Sequence, residues 1–233
     1  KTHLAPGRGR DYLRDGDTLY DCWMAPIIDV DLARAPNFGQ GAVNDRVRYY
    51  DSDTTLNLAV QWTDGDRGEQ GQGFGYLGFD FLESPSIIRH LDTIRREEID
   101  NQGVPTGRTI TELRECFKPD TRMVRKDRPW YPNEEQLGLN TFRNWSIADD
   151  KLVDEDRYNF LSEGIRDGDT GPGDKRFMMA TGPFNMRPDD TVRVVVCIMI
   201  ANTSKGGEAD GTDEDMKAVV DLDKFAQEVY DNS

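Results

Sequence analysis

The chain has 233 residues and a formal net charge of −15, with 44 acidic against 29 basic side chains. A negative surface of this size repels phosphate groups, which excludes nucleic acid and anionic membranes as favourable partners. The hydrophobic share is only 36%, but 4 Trp, 8 Tyr and 10 Phe argue against disorder, and no segment reaches the roughly 20 apolar residues of a membrane span.

Three strands are predicted in the first part of the chain. Residues 18–30 are rich in β-forming side chains, and Pro26 within them predicts an edge position or a bulge. Residues 54–62 alternate, with apolar side chains in one phase and polar ones in the other, which is typical of a strand with one buried face. Residues 74–84 carry aromatic side chains in both phases, so both faces of this strand are aromatic.

Two more strands are predicted near the C-terminus, at 175–186 and 191–203. Pro188 fixes a backbone angle that suits a turn, and the two aspartates after it favour turns too, so a β-hairpin is predicted. Residues 191–200 hold a single charge and show no alternation. Such a run is typical of a strand that is buried on both faces, in the middle of a sandwich or under a helix.

The remaining chain divides into an excursion and a helix. Residues 84–105 are compatible with a short helix, and the following segment is basic and proline-interrupted, so an insertion is predicted at about 89–135. A C-terminal α-helix is predicted over about 213–231, with acidic residues at its N-terminus, where the helix dipole favours them. Its apolar side chains recur at helical spacing: Met216, Val219, Val220, Phe225, Ala226, Val229 and Tyr230.

The sequence therefore predicts a mainly β fold, namely an antiparallel β-sandwich of jelly-roll or fibronectin-like type, with a long insertion and one C-terminal α-helix. We expect a single domain over residues 1–233. The chain opens on Lys-Thr-His without an initiator methionine or a signal peptide, which indicates a fragment of a longer protein.

Several stretches carry a resemblance to a known family. "GDKRFMMATGPFNMRPDDTVRVVVCIMIAN" (173–202), followed by "DLDKFAQEVYDN" (221–232), resembles a module of very large secreted or surface-anchored bacterial proteins, which commonly precedes fibronectin type III-like domains. The module has a Gly-Pro-Phe, a Pro-Gly-Asp-like turn, a valine-rich strand and a helix that ends near Tyr-Asp-Asn. Residues 17–32, 43–62 and 74–85 resemble further segments of it. The chain departs from the pattern at Asp189 of the turn, which replaces glycine, and at Asn44, which replaces aspartate.

The family has no established activity, so the resemblance implies architecture and location and no catalytic residues. We expect a non-catalytic structural or adhesive module of a secreted, cell-surface or filamentous bacterial assembly, whose partners are neighbouring domains or subunits. A related hypothesis is a subunit that packs onto its neighbours through an exposed sheet edge.

Oxygen-bearing side chains near the first strands are candidate ligands for Ca²⁺, which takes six to eight oxygen atoms and would stabilise the module. Asp29 and Asp31 end the first predicted strand with both carboxylates on one side. The other candidates occupy the next loop and the start of the next strand: Asn44, Asp45, Asp51 and Asp53. The alternative is that these residues only form turns and strand ends.

Carbohydrate is the alternative ligand. Trp130 and Tyr131, which lie in a proline-flanked loop, are candidates for a platform on which a sugar ring stacks, and Trp62 and Trp145 are further aromatic candidates. A carbohydrate-binding module or a glycoside-active enzyme is therefore the second hypothesis. No signature selects a catalytic carboxylate pair, and no Gly-x-Ser-x-Gly is present.

The three cysteines lie far apart and lack the spacing of a zinc or iron–sulfur site. Whether Cys22 and Cys197 form a disulfide is left open, because adjacent strands could bring them within reach.

Overall fold

A computed structural model of the chain describes residues 19–32, 43–64, 74–85, 88–100, 102, 104–118, 136–151, 153–186 and 192–232. The described residues are mainly strands in antiparallel sheets, with two α-helices, one of them C-terminal. The strands are β1 (Leu19–Met24), β2 (Ile27–Ile28), β3 (Asp45–Tyr49), β4 (Leu58–Thr63), β5 (Tyr76–Glu83), β6 (Ile88–Ile99), β7 (Pro105–Lys118), β8 (Thr141–Ser146), β9 (Lys175–Met186) and β10 (Val195–Ala201). The helices are α1 (Asp154–Ser162) and α2 (Lys217–Asp231). The predicted mainly β fold and C-terminal helix are confirmed, and α1 is an addition to the prediction.

The strands form two four-stranded sheets and a separate hairpin. In sheet A, β9 is central: β8 pairs with its first half on one side, while β2 and then β1 pair with it on the other. Sheet B has the order β10-β5-β4-β3, and β6 pairs with β7 in the hairpin. Pro26 separates β1 from β2, which agrees with its predicted place at an edge.

Sheets A and B share a first core, an arrangement consistent with a β-sandwich. The rings of Phe79 on β5 and Phe177 on β9 meet edge to face at 5.1 Å, and Phe142 on β8 lies 5.8 Å from Phe177. The buried members of this core are Val47, Tyr49, Ala59, Leu77, Phe79, Phe81, Leu139, Phe142, Phe177 and Met179. The core joins both sheets through aromatic contacts between their inner faces.

Helix α2 covers the opposite face of sheet B. A Cβ atom on Gly78 would lie only 2.8 Å from Val219 Cγ2, so the helix packs closely on β5 at this glycine. The buried members of this second core are Tyr50, Leu58, Val60, Trp62, Tyr76, Met199, Met216, Val219 and Val220. Strand β5 therefore lies between two cores, and all eight of its residues are buried. Neither α1 nor α2 is long and apolar enough to cross a membrane.

The predicted hairpin between 175–186 and 191–203 is wrong. Strand β9 belongs to sheet A, where both of its edges already have partners, and β10 pairs with β5 in sheet B. The chain therefore passes from one sheet to the other between these strands. The turn predicted at Pro188 lies outside the described residues.

The prediction that the apolar run of β10 is buried on both faces is also wrong. Met199 faces the second core, but Ile198 is 67% exposed and Ile200 is 73% exposed. The reason is topological, because β10 is the last strand of sheet B and so lies at its edge.

The helix predicted within residues 84–105 is replaced by strands β6 and β7. Asp100 closes this hairpin: its side chain accepts hydrogen bonds from the backbone N–H groups of Gln102 and Val104, both at 2.9 Å. An aspartate that bonds to its own following backbone favours a turn over a helix. The hairpin lies within the predicted insertion, of which residues 119–135 are outside the described residues.

Helix α2 begins at Lys217, four residues later than predicted. Asp215 lies before it in a turn, is fully buried, and accepts hydrogen bonds from Tyr76 Oη at 2.6 Å and Lys205 N at 2.9 Å. This carboxylate anchors the preceding loop. Cys22 and Cys197 are both free thiols and lie in different sheets.

Candidate functional site

Antiparallel pairing of β2 with β9 brings acidic residues from distant parts of the chain together. Continuing the register of these strands places Asp31 opposite Asp174 and Asp29 opposite Arg176. Carboxylate oxygens of Asp29, Asp31 and Asp174 lie within 4.8 Å of one another. We call these three residues the acidic triad. Partial burial and the negative charges of the two neighbours raise the pKa of Asp31.

The backbone of Asp45 lies next to the acidic triad, but its carboxylate is not among the oxygens that converge there. Its carbonyl accepts a hydrogen bond from Gly173 N at 3.1 Å, which fixes it beside Asp174. The side chain points into the sandwich in the same phase as Val47 of the first core, and it is 0% exposed.

The Asp45 carboxylate is poorly satisfied. Neither of its oxygens has a hydrogen-bond partner of proper geometry. Its pKa is raised to about 7, mainly by burial and also by the negative charges of Asp31 and Asp174, while the Leu32 N–H and the Gln61 amide act in the opposite direction. A buried carboxylate without good partners is costly, so this position requires an explanation.

The other predicted ligands lie elsewhere. Asn44 precedes β3 and so lies at the same end as Asp45, whereas Asp51 and Asp53 follow the far end of this five-residue strand, about 16 Å away at the usual rise per residue. Asp53 accepts hydrogen bonds from the Thr55 N–H at 3.2 Å and hydroxyl at 2.6 Å, and it pairs with Lys224 at 3.3 Å. The structure therefore does not bring Asp51 and Asp53 to the acidic triad.

The sequence analysis did not include Asp174 among the candidate ligands, although this residue directly precedes the strand predicted at 175–186. Nothing local in the sequence says that β2 pairs with β9. Once that pairing is known, the register alone places Asp174 opposite Asp31.

A cavity of about 480 Å³ opens between α1 and sheet A. Its aromatic residues are Trp23, Trp145 and Phe160, its charged residues are Asp29, Asp150, Lys151, Arg157 and Arg176, and its remaining apolar residues are Ala25, Ile27, Leu161 and Met178. Trp145 meets Phe160 edge to face at 5.4 Å and donates from Nε1 to Asp150 at 3.1 Å. Aromatic faces beside fixed charged groups are suited to bind a small polar ligand.

Arg176 connects the cavity with the acidic triad. Its guanidinium donates to Asp29 Oδ2 and to Asp150 Oδ2, both at 2.9 Å. Two of the aromatic residues predicted as sugar-binding candidates are described by the structure. Trp145 lines this cavity, whereas Trp62 is buried in the second core. Trp130 and Tyr131 lie outside the described residues.

The two edges of sheet B differ in charge. On β3, Arg46 pairs with Asp64 at 2.8 Å and with Asp169 at 2.5 Å, and Arg48 pairs with Asp213. On the opposite edge, β10 reads Val-Val-Cys-Ile-Met-Ile-Ala and carries no charged residue. Within the part of the chain that the structure describes, its outer side pairs with no strand.

Comparison with protein-family models, with curated proteins and with solved structures found no match for this chain.

Proposed function

We propose that this chain is a non-catalytic structural or adhesive module that joins neighbouring copies of itself through the outer edge of β10, here called the β10 edge. The observation that carries the proposal is an uncharged edge strand with two exposed isoleucines. The location, in a secreted or cell-surface bacterial assembly, is the part of the proposal that rests on the sequence resemblance.

Edge strands promote association because they present unpaired backbone N–H and C=O groups. Proteins that must stay apart place charges, prolines or bulges on such edges. The arginines of β3 supply charge on one side of sheet B, whereas β10 carries no charged residue and no proline, and its pairing with β5 is irregular only between Val195 and Val196. The contrast within one sheet favours a binding role for the β10 edge.

A second copy is the partner that fits this edge best. Two β10 strands related by a two-fold axis would pair antiparallel, with the same surface on both sides. Ile198 and Ile200 point to the same face and are 67% and 73% exposed, so pairing would bury apolar surface of both copies together. An uncharged strand leaves no unpaired charge in such an interface.

The test is self-association measured by sedimentation velocity over a range of protein concentration. Wild type is expected to dimerise, and Ile198→Lys and Ile200→Lys are expected to remain monomeric because each places a charge on the paired edge. Val104→Lys is the matched control, since Val104 is 53% exposed at the tip of the β6–β7 hairpin. A wild type that stays monomeric up to millimolar concentration, or equal association of all variants, would overturn the proposal.

A second candidate function is glycan binding in the cavity between α1 and sheet A. Trp23 offers a ring face for stacking, the mostly buried Trp145 forms part of the cavity wall, and Asp150 and Arg176 offer hydrogen bonds to hydroxyl groups. A Cβ atom on Gly182 would lie 2.6 Å from the Trp23 ring, so this glycine lets the ring lie close to β9.

Glycan binding is tested by titrating mono- and disaccharides while recording heat and tryptophan fluorescence. Trp145→Ala and Trp23→Ala should abolish the response. Tyr20→Ala is the control, because Tyr20 is an exposed aromatic residue that does not line the cavity. Absence of binding by wild type, or binding that survives both tryptophan substitutions, would reject this candidate.

A further inference from the structure

Helix α2 carries an uncovered apolar stripe beside its buried face. Leu222, Phe225 and Val229 recur at intervals of three and four residues, so they follow one line along the helix. Phe225 is 60% exposed, Val229 is 51% exposed, and Leu222 is partly buried against the second core. We call these three residues the α2 stripe. It continues the apolar surface of the second core out to the solvent.

The α2 stripe lies on the side of the helix that faces the β10 edge. The other side is marked by Lys224, which pairs with Asp53 at 3.3 Å, and Asp53 follows β3 at the opposite edge of sheet B. A helix turns by about 100° per residue, so Leu222 lies about 160° around the helix from Lys224. The exposed charged residues of α2 follow the line of this lysine: Lys217, Asp221, Lys224 and Glu228. The stripe therefore adjoins β10 and is itself uncharged.

The second core is incompletely closed at the same edge. Cys197 and Ala201 of β10 pack against this core, but both are only partly buried. Leu58 of β4, which is an inner strand of sheet B, is fully buried in the same core. A second apolar surface that covers the β10 side would therefore bury further area of Cys197, Ala201 and the α2 stripe.

The small size of the β10 edge also requires a second contact. Specific protein interfaces involve about 20–30 residues on each side, whereas β10 has seven residues. Two paired β10 strands would by themselves form a small interface. A dimer that is stable therefore needs contacts beside the paired strands, and the α2 stripe is the apolar surface that adjoins them.

The symmetry of the proposed pairing would bring two α2 stripes together. Antiparallel pairing of two β10 edges about a two-fold axis continues sheet B into the second copy, so both α2 helices lie on the same face of the joined sheet. Helix α2 packs over β5 and β10 alike, so its axis runs about midway between these strands. With strands about 4.8 Å apart, the two helix axes would lie about 10 Å apart, a distance at which helices pack against each other.

We propose that the α2 stripe packs against the α2 stripe of a second copy when two β10 edges pair. The two four-stranded sheets B then form one continuous sheet, with a helix pair on one face and the exposed isoleucines of β10 on the other. This inference rests on the proposed self-association and adds the surface that stabilises it. Contact between two uncharged stripes leaves no unpaired charge in the interface.

The test is sedimentation velocity of stripe variants over a range of protein concentration. Phe225→Gln should raise the dissociation constant of the dimer by more than about tenfold, because each dimer loses the apolar contacts of two phenylalanine rings. Val229→Gln, at the second exposed position of the stripe, should change it in the same direction.

Glu228→Gln is the matched control, because Glu228 is exposed on the charged side of the same helix and receives the same new side chain. Its dissociation constant should stay within about twofold of that of wild type, as is usual for a surface substitution. Thermal unfolding of all three variants at a concentration where wild type is monomeric shows whether the monomer is still folded, so that unfolding is not mistaken for loss of the contact.

The outcomes separate this inference from the proposed function. If Ile198→Lys stays monomeric while Phe225→Gln and Val229→Gln dimerise as tightly as wild type, β10 forms the interface and the helix contact is refuted. Equal weakening by Glu228→Gln would also overturn the inference, because the effect would not be specific to the α2 stripe. A wild type that stays monomeric overturns both proposals.

Discussion

Asp80 of β5 and Asp223 of α2 bring two carboxyl groups together in the second core. They are 3% and 1% exposed, and one oxygen of each lacks a hydrogen-bond partner. Burial and the neighbouring Asp223 raise the pKa of Asp80, and burial raises the pKa of Asp223 to about 7. Two carboxyl groups this close cannot both ionise without a large cost, so they share a proton near neutral pH.

The pair makes stability depend on pH in a defined direction. An ordinary aspartate has a pKa of about 3.9, so from about pH 4 to about pH 7 the folded chain holds a proton that the unfolded chain has released. The free energy of unfolding therefore falls as pH rises through this window, by at most about 1.4 kcal/mol per pH unit for one proton. We expect Asp223→Asn, which is neutral at every pH, to melt higher than wild type at pH 8 and close to it at pH 4.

Thermal unfolding from pH 4 to 8 checks this prediction. Asp221→Asn is the control on the same helix, because Asp221 is exposed and pairs with Lys217. Its melting curve against pH should run parallel to that of wild type. A constant difference between Asp223→Asn and wild type across the range would contradict a shared proton.

At the scale of the element, helix α2 shows that helical spacing and burial are different properties. Val219 is fully buried against Gly78, whereas Val229 is 51% exposed, although both belong to the predicted apolar face. Val219→Ala removes two buried carbon atoms and should lower the free energy of unfolding by about 2 kcal/mol, including the cavity left behind. Val229→Ala is the matched control and should change it by less than about 0.5 kcal/mol. Urea unfolding of both variants measures the difference, and equal effects would contradict this placement of α2.

The elements that were predicted well are those that local pattern determines. The strand character of β4, the aromatic side chains on both faces of β5 and the spacing of α2 are all visible within short windows, although β4 is buried on both faces and not on one, as its alternation predicted. Residues 88–118 were harder, because their strand character depends on pairing along a long hairpin. The turn residues around Asp100 were the available signal for it.

Features that depend on which strand pairs with which could not be predicted. A continuous apolar run predicts a buried strand, but β10 lies at an edge because β5 is its one strand partner among the described residues. The candidate functional site was likewise predicted only where it does not depend on strand pairing. Asp29, Asp31 and Asp45 came from local pattern, whereas Asp174 entered only through the register of β2 with β9.

At the scale of the whole molecule, net charge opposes the proposed self-association. Each copy carries a formal charge of −15, so two copies repel until salt screens them. The screening length falls from about 10 Å at 0.1 M salt to about 3 Å at 1 M, while apolar contacts at the β10 edge are not weakened by screening. We therefore expect the dissociation constant of the dimer to fall as NaCl is raised, and Ile198→Lys to remain monomeric at every concentration. Sedimentation velocity across a salt series measures it. An association that weakens as salt rises would mean that opposite charges meet in the interface, which the uncharged β10 edge cannot supply, and it would place the contact elsewhere on the surface.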